Sequence, residues 1–230
     1  MAARIDGLIA SHKDMSNAVS HEIRTPLSRM QFEIELAHQA QTVEEVRRSL
    51  AHVKTDIAAI NDLVAATLSY AILERADVAL NINSHNFTTL IPAIAAAVAH
   101  DARPDIRIDS EVQSDATAVR CDVHLIETVL RNLLYNATRY AKDSLLVTFT
   151  CTDGVNRLCV DDDGPGIPEA DRHRVFESFV QLERTAGRKT GFGLGLAIVK
   201  RAIEWHGGEV SVATAPLGGA RFCATWPVIA

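Results

Sequence analysis

With 230 residues, 47% of them apolar and 23% charged, the chain can build a buried core in one or two domains. Its net charge of -6 at pH 7 lacks the basic field of a phosphate-backbone binder, so nucleic acid is not the expected partner. The four cysteines, Cys121, Cys151, Cys159 and Cys223, form no C-x-x-C and no Cys/His pair at zinc-ligand spacing, which argues against a structural zinc and for free thiols in a reducing compartment.

No apolar run approaches the roughly 18 to 20 residues that span a bilayer, and no signal peptide is read at the start. A soluble, cytoplasmic chain is expected. Residues 8–37 place Leu8, Met15, Val19, Ile23, Leu27, Met30, Ile34 and Ala37 at helical spacing. Residues 42–74 do so more strictly, through Val43, Val46, Leu50, Val53, Ile57, Ile60, Val64, Leu68 and Ala71. Between them, Thr42 and Glu45 match a capping box, so a second helix starts there. The pattern predicts an all-α hairpin whose long seam dimerises into a four-helix bundle. A plain coiled-coil spacer has the same periodicity and stays open at this point.

After "ILERADVAL" the texture changes to alternating helices and strands. Helices are predicted over 88–100, 122–141 and 194–206. Strands are predicted at "RIDSEV", "ATAVRCD", "LLVTFTCT", "RLCVDD", "EVSVAT" and "ARFCATWP". A Gly-rich polar stretch runs from 181 to 193. The organisation is a hairpin over 1–75, a linker over 76–81 and an α/β sandwich over 82–230.

"SHEIRTPLSRM" puts Pro26 inside the first helix, at a cost of about 3 kcal/mol or more. His21 lies about 200° from Val19 and Ile23 on a helical wheel and so faces solvent. Thr25 is one turn on along the same face, and Glu22 stands beside them. An exposed imidazole next to a carboxylate is a candidate nucleophile with its base. A surface histidine beside a tolerated proline is the bland alternative.

The second half has no P-loop and no dinucleotide fingerprint: "AGRKTG" and "GFGLGL" only echo them. Four segments stand out instead. "ETVLRNLLYNATRYA" sets Asn132 and Asn136 on one helical face, with Arg139 and Tyr140 a turn further. "DDDGPGIP" offers a carboxylate to an exocyclic amine and glycines to a flat ligand. "RVFESFVQLE" offers Phe176 and Phe179 as apolar anchors, for which core packing is the competing reading. "GFGLGLAIVK" sets glycines before a helix N-terminus, which favours phosphate.

"SHEIRTPL" resembles the H box of sensor histidine kinases, and the four later segments resemble their N, G1, F and G2 boxes, in order. The resemblance covers roughly residues 10 to 228. It implies the ATP-binding α/β sandwich shared with gyrase, Hsp90 and MutL. It implies that His21 accepts a phosphoryl group, that Glu22 takes the imidazole proton, and that Thr25 orients the water that dephosphorylates a partner. Asn136 would be the magnesium ligand, with Asn132 near the γ-phosphate. Asp162 would bind the adenine amine, with Gly164 and Gly166 shaping that pocket. Gly191, Gly193 and Gly195 would end the ATP lid. Arg139, Tyr140, Ile167, Phe179, Leu194 and Leu196 complete the ATP set, and Arg184, Arg188 and Lys189 could reach phosphate.

Phe192 and Ser178 depart in size from the family pattern. The ending and layout look most like the OmpR-partnered, RstB-type subgroup. The implied cofactors are ATP and Mg2+, and the implied partners a second copy of the chain and a response-regulator receiver domain. The implied location is the cytoplasmic face of a bacterial inner membrane, with any anchor in segments absent from this chain. The competing readings are a conformational ATPase of the gyrase/Hsp90/MutL group, which the H box opposes, and a phosphotransfer scaffold with a degenerate ATP site, which the asparagine pair and glycine boxes oppose.

Overall fold

The computed structural model describes residues 2–74, 79–101, 105–113, 115–182 and 191–229, with side chains from Asn17 onward. They divide into two compact units, one up to Ala71 and one from Ile72 onward, with Gly191 and Phe192 counted in the first. The expected lid cations Arg184, Arg188 and Lys189, and part of the expected linker, lie outside the described residues.

The first unit is the hairpin of α1 (Ala2–Gln39) and α2 (Val43–Leu73). The capping box forms: Glu45 N–H donates to Thr42 Oγ1 at 3.2 Å, and Thr42 N–H donates back to Glu45 Oε2 at 3.1 Å. Backbone donation from Gln41 and Thr42 holds the Glu45 carboxyl below the usual range. Helix α1 continues through Pro26, which is buried.

The buried stripe of α2 is Ser49, Asp56 and Leu63, at seven-residue spacing. Asp56 tolerates burial because Arg29 of α1 bonds its carboxylate, and Glu33 pairs with His52 at 2.8 Å one turn away. In the single chain the expected seam divides into half-buried Val46, Val53 and Ile60 and an outer, exposed row. Val43, Leu50, Ile57, Val64 and Leu68 remain exposed in the single chain, as do Leu27 and Ile34 of α1. The apolar periodicity merges two stripes, and the one facing α1 is partly polar, so hydrophobicity alone does not mark it. Helix α2 also has an 18-residue window of mean hydropathy 1.4, long and apolar enough to cross a membrane by length and composition. The expectation that no segment reaches that threshold is corrected accordingly, although the interhelical ion pair gives this helix a packing role.

The second unit comprises β1 (Asn83–His85), α3 (Phe87–Asp101), β2 (Arg107–Val112), β3 (Val119–Cys121), α4 (Val123–Tyr140), β4 (Ser144–Thr152), β5 (Val155–Asp162), α5 (Gly195–Trp205), β6 (Glu209–Thr214) and β7 (Ala220–Pro227). The main sheet has the order β2-β4-β5-β7-β6; β2 pairs parallel with β4 and the other neighbours are antiparallel. A separate two-stranded sheet joins β1 to β3. The β1 stretch is too short to show an alternation, so its pairing was illegible in sequence.

One sheet face is apolar. Leu145, Val147, Phe149, Leu158, Val160, Phe222, Ala224 and Trp226 recur at two-residue spacing and are buried. Phe87 of α3 packs on Phe149 at 4.7 Å between centroids, and on Trp226 at 6.4 Å. Full burial of each ring stabilises by about 1.5–3 kcal/mol. The opposite face carries Thr148, Arg157, Ser211, Ala213, Arg221 and Thr225, all exposed or half-buried.

Cys159 and Cys223 face each other across β5 and β7 and form a disulfide. This corrects the expectation of four free thiols, which holds only for Cys121 and Cys151. The two positions are 64 residues apart, and only strand register makes them opposite. Closing a loop of that length stabilises by about 4 kcal/mol in the chain-entropy account.

Candidate active site

His21 sits on α1 with its side chain 72% exposed, and its Nδ1 is 3.7 Å from Glu22 Oε1. Thr25 is also exposed, one turn along. Pro26 has no N–H to donate to the carbonyl four residues back, that of Glu22, so the helix ladder loses a rung beside the imidazole.

In the second unit, α4 starts at the Asp122 cap, whose Oδ1 accepts from His124 and Leu125 N–H. Its apolar side, Ile126, Val129, Leu130, Leu133, Leu134 and Ala137, is buried. That leaves Asn132 and Asn136 half-buried at the margin. Asn132 donates to Thr128 O at 2.8 Å, which leaves its Oδ1 for another partner. The Asn132 amide lies against the first residue of α5: a Cβ on Gly195 would come within 2.8 Å of Asn132 Oδ1. Leu194, the residue before α5, is buried and provides no side-chain cap, and the leading N–H groups of a helix favour an anionic partner. Leu196 is half-buried at that end.

Asp162 ends β5 and is 3% exposed. Its Oδ1 accepts from Gly164 N–H at 2.9 Å and Ala220 N–H at 3.0 Å. Its Oδ2 receives no bond among the described residues. Burial raises its pKa, against the lowering effect of the two backbone donors. Gly164 is close-packed, since a Cβ there would lie 2.6 Å from Tyr140 O. Gly166 has φ +68°. Ile167 is half-buried, and its carbonyl accepts from Arg172 Nε at 3.3 Å.

Phe176 is buried and makes an edge contact with Phe222. Phe179 has a left-handed φ of +63° and donates its N–H to Gly193 O at 2.9 Å. A Cβ on Gly193, itself at φ +68°, would lie 2.7 Å from Phe179 C. Gly191 also has a glycine-type φ, +101°. The structure thus joins Asn132 to Gly195, Tyr140 to Gly164, Asp162 to Gly164, and Phe179 to Gly193. It leaves the Arg139 and Tyr140 side chains exposed.

Residues 121–230 match the family of histidine kinase-, DNA gyrase B- and HSP90-like ATPases, and residues 11–76 match the His Kinase A (phospho-acceptor) domain. Sensor protein RstB of Escherichia coli K12 is 36% identical over 231 residues, covering 99% of this chain and 52% of that protein. The chain belongs to the sensor histidine kinases. Full-length ShkA in complex with AMPPNP is 29% identical, with a TM-score of 0.67 over 94% of this chain and 45% of that one. Histidine kinase ThkA, solved with the response regulator TrrA, shares the fold at a TM-score of 0.79, with 22% identity over 97% of this chain and 64% of that one. The chain spans about half the length of the curated relatives it matches.

Several residues of this candidate site escape motif reading. Gly219 and Ala220 lie in "PLGG" and "ARF", which read as a turn and a strand. A Cβ at Gly219 would meet Asp162 Oδ1 at 2.1 Å. Asp163 accepts from Lys142, Asp143 and Ser144 N–H and from Ser144 Oγ, which ties the end of β5 to the loop after α4. Burial pushes its pKa up, and the hydrogen bonds outweigh that, leaving it below the usual range.

His206 is buried, with Nδ1–H donating to Ala202 O at 2.8 Å and Nε2 accepting from Asp122 N–H at 3.1 Å. Burial lowers its pKa. It joins the end of α5 to the start of α4, the two helices that meet again at Gly195 and Asn132.

Proposed function

We propose that this chain is the phospho-accepting and ATP-binding portion of a sensor histidine kinase. It transfers the γ-phosphoryl of ATP to His21, and from there to an aspartate of a response-regulator receiver domain. The observation that carries this reading is the exposed His21 imidazole with Nδ1 turned toward Glu22. Apo separations of this kind tighten when substrate binds. Glu22 accepts the Nδ1 proton, which leaves Nε2 as the nucleophile. The N–P bond forms as the β,γ-bridging oxygen departs with ADP, and catalysis is mainly positioning and charge neutralisation.

The remaining roles follow the site. Asp162 Oδ2 accepts from the adenine amine, with Gly164, Gly166 and Ile167 beside the base. Asn132 and the α5 N-terminus, from Leu194 through Gly195 to Leu196, face the phosphates. Gly191, Gly193 and Phe179 shape the backbone around them, and Arg139 and Tyr140 flank the far end of α4. The amide oxygen of Asn136 would suit a hard cation such as Mg2+. When bound, that ion neutralises charge developing on the phosphates. The AMPPNP complex of ShkA supports the nucleotide reading by likeness.

Two copies associate through the exposed apolar row of Leu50, Ile57, Val64 and Leu68, giving a four-helix bundle. The dimerising portion is 1–75 and the catalytic domain 82–230, joined by 76–81. The complex of ThkA with TrrA supports a receiver domain as partner, and the RstB likeness supports the OmpR-partnered subgroup. The chain works on the cytoplasmic side of a membrane. Thr25 adds a phosphatase activity toward the phospho-regulator.

The test is incubation with γ-labelled ATP. Acid-labile, base-stable label should appear on wild type and vanish in His21→Gln, which should still bind nucleotide. Undiminished label on that variant overturns the assignment.

A further inference from the structure

The Cys159–Cys223 disulfide lies on the sheet face that carries no apolar core. Both residues are nearly buried, at 3% and 7% exposure. Their same-face neighbours two positions away are Arg157 and Asp161 on β5, and Arg221 and Thr225 on β7. Arg157 is exposed, and Arg221 is about one-third exposed while bonding Asp161 through Nε at 2.6 Å and Nη2 at 2.5 Å. The neighbours of the disulfide on this face are therefore polar or charged, with Thr148 and Ser211 directly opposite its two cysteines.

The strands joined are those that hold Asp162. It follows Cys159 by three residues on β5, and Ala220, which donates to its Oδ1, precedes Cys223 by three on β7. Between them lie the pair Val160 and Phe222 and the pair Asp161 and Arg221, the ion pair just described. Cys121 offers no such site: it is buried, and its thiol is pushed up to about 12 by that burial.

We propose that Cys159–Cys223 is a reducible site for low-molecular-weight thiols and that its redox state sets how firmly the domain holds nucleotide. A thiolate attacks Cys223 Sγ, the S–S bond breaks, and Cys159 departs and takes a proton. A second thiol then attacks the mixed disulfide, releasing Cys223 as a thiol and leaving the two small thiols joined as a disulfide. Two electrons and two protons reach the protein. Two thiol sulfurs need more room than one S–S bond, so β5 and β7 shift where they clasp Asp162.

This inference rests on the nucleotide reading above, and the experiment separates the two. The whole chain is prepared oxidised with a small disulfide, and reduced with a small dithiol. Each state is verified by differential alkylation and mass spectrometry, and the affinity for a fluorescent ATP analogue with Mg2+ is measured. Oxidised protein should bind at least about fivefold tighter, the low end of coupling between linked sites. Cys159→Ala/Cys223→Ala should bind like reduced wild type and ignore the dithiol, while Cys151→Ser should keep the response. The wild-type comparison needs no substitution, so it stands even where the double variant misfolds. Free thiols at both positions after oxidation, or equal affinity in two verified states, overturn the switch alone. Binding in neither state overturns the nucleotide reading together with it.

Discussion

Ala220 donates its backbone N–H to Asp162 Oδ1 across 3.0 Å, so the start of β7 fixes the direction of the carboxylate at the end of β5. With Gly164 on the same oxygen, that oxygen's acceptor capacity is used, and Oδ2 receives no bond among the described residues.

Asp162→Asn should therefore separate binding from stability. Burial raises the Asp162 pKa, so the fold disfavours its charge. Such a group stabilises most below its unfolded pKa, and the contribution is lost as pH rises through the folded value. At pH 7 the asparagine variant should be at least as stable as wild type in thermal melts. Its ATP affinity should fall by roughly ten- to hundredfold relative to GTP, since a hydrogen bond to a charged group contributes about 1.5–3 kcal/mol. Wild-type ATP affinity should also weaken as pH falls through the raised pKa. An unchanged preference for ATP would remove Asp162 from the adenine pocket.

Gly219→Ala should damage the same pocket from the other side. The new methyl would lie 2.1 Å from Asp162 Oδ1, 2.4 Å from Asp162 O and 2.5 Å from Gly164 N. Overpacking of this kind costs about 1–3 kcal/mol or more. A lower melting temperature and weaker ATP binding should appear together, whereas Gly154→Ala, in open space, should lose stability only through its positive φ of +75°.

Asp163 gives the opposite pH sign. Its pKa is lowered, so its contribution is present above the ordinary carboxylate value and is lost as pH falls through the lower, folded value. Asp163→Asn should flatten the acid limb of the stability curve below about pH 4. Identical acid limbs for the two proteins would show that the four hydrogen bonds do not favour the ionised form.

What could be read in advance depended on locality. Most helices and strands of the second unit follow from periodicity, because their apolar faces repeat every two or every three to four residues. The H box and the asparagine pair stand out in the sequence because their candidate residues lie within one or two helical turns. Gly219, Ala220 and the Cys159–Cys223 pair are not, since their meaning arises only when β7 lies beside β5. The α2 stripe of Ser49 and Asp56 is hidden for another reason: an interhelical ion pair lets polar residues fill a seam that hydrophobic patterning assigns to leucine and valine.

Ile57→Glu tests the outer stripe. Ile57 is 49% exposed in the single chain and lies about 100° around the helix from the buried Ser49–Asp56–Leu63 row. If it packs against a second copy, a carboxylate there is desolvated without a partner, which costs several kcal/mol. Light scattering should then show a monomer where wild type is a dimer, with helix content retained. A dimer of unchanged affinity would place the interface elsewhere.

Thr25→Ala should divide the two activities at the H box. Thr25 is one turn beyond His21 on the exposed face, within reach of an aspartyl phosphate presented to that imidazole. Its hydroxyl can hold a water in line with that phosphate, but proton removal from His21 falls to Glu22, beside Nδ1. The variant should keep autophosphorylation and lose most dephosphorylation of the phospho-regulator. The lost hydrogen bond is worth about 1.5–3 kcal/mol, or roughly ten- to hundredfold in rate. Purified phospho-regulator is mixed with each protein and ADP, and its decay is followed. Equal decay with wild type and Thr25→Ala would mean that another group positions the water.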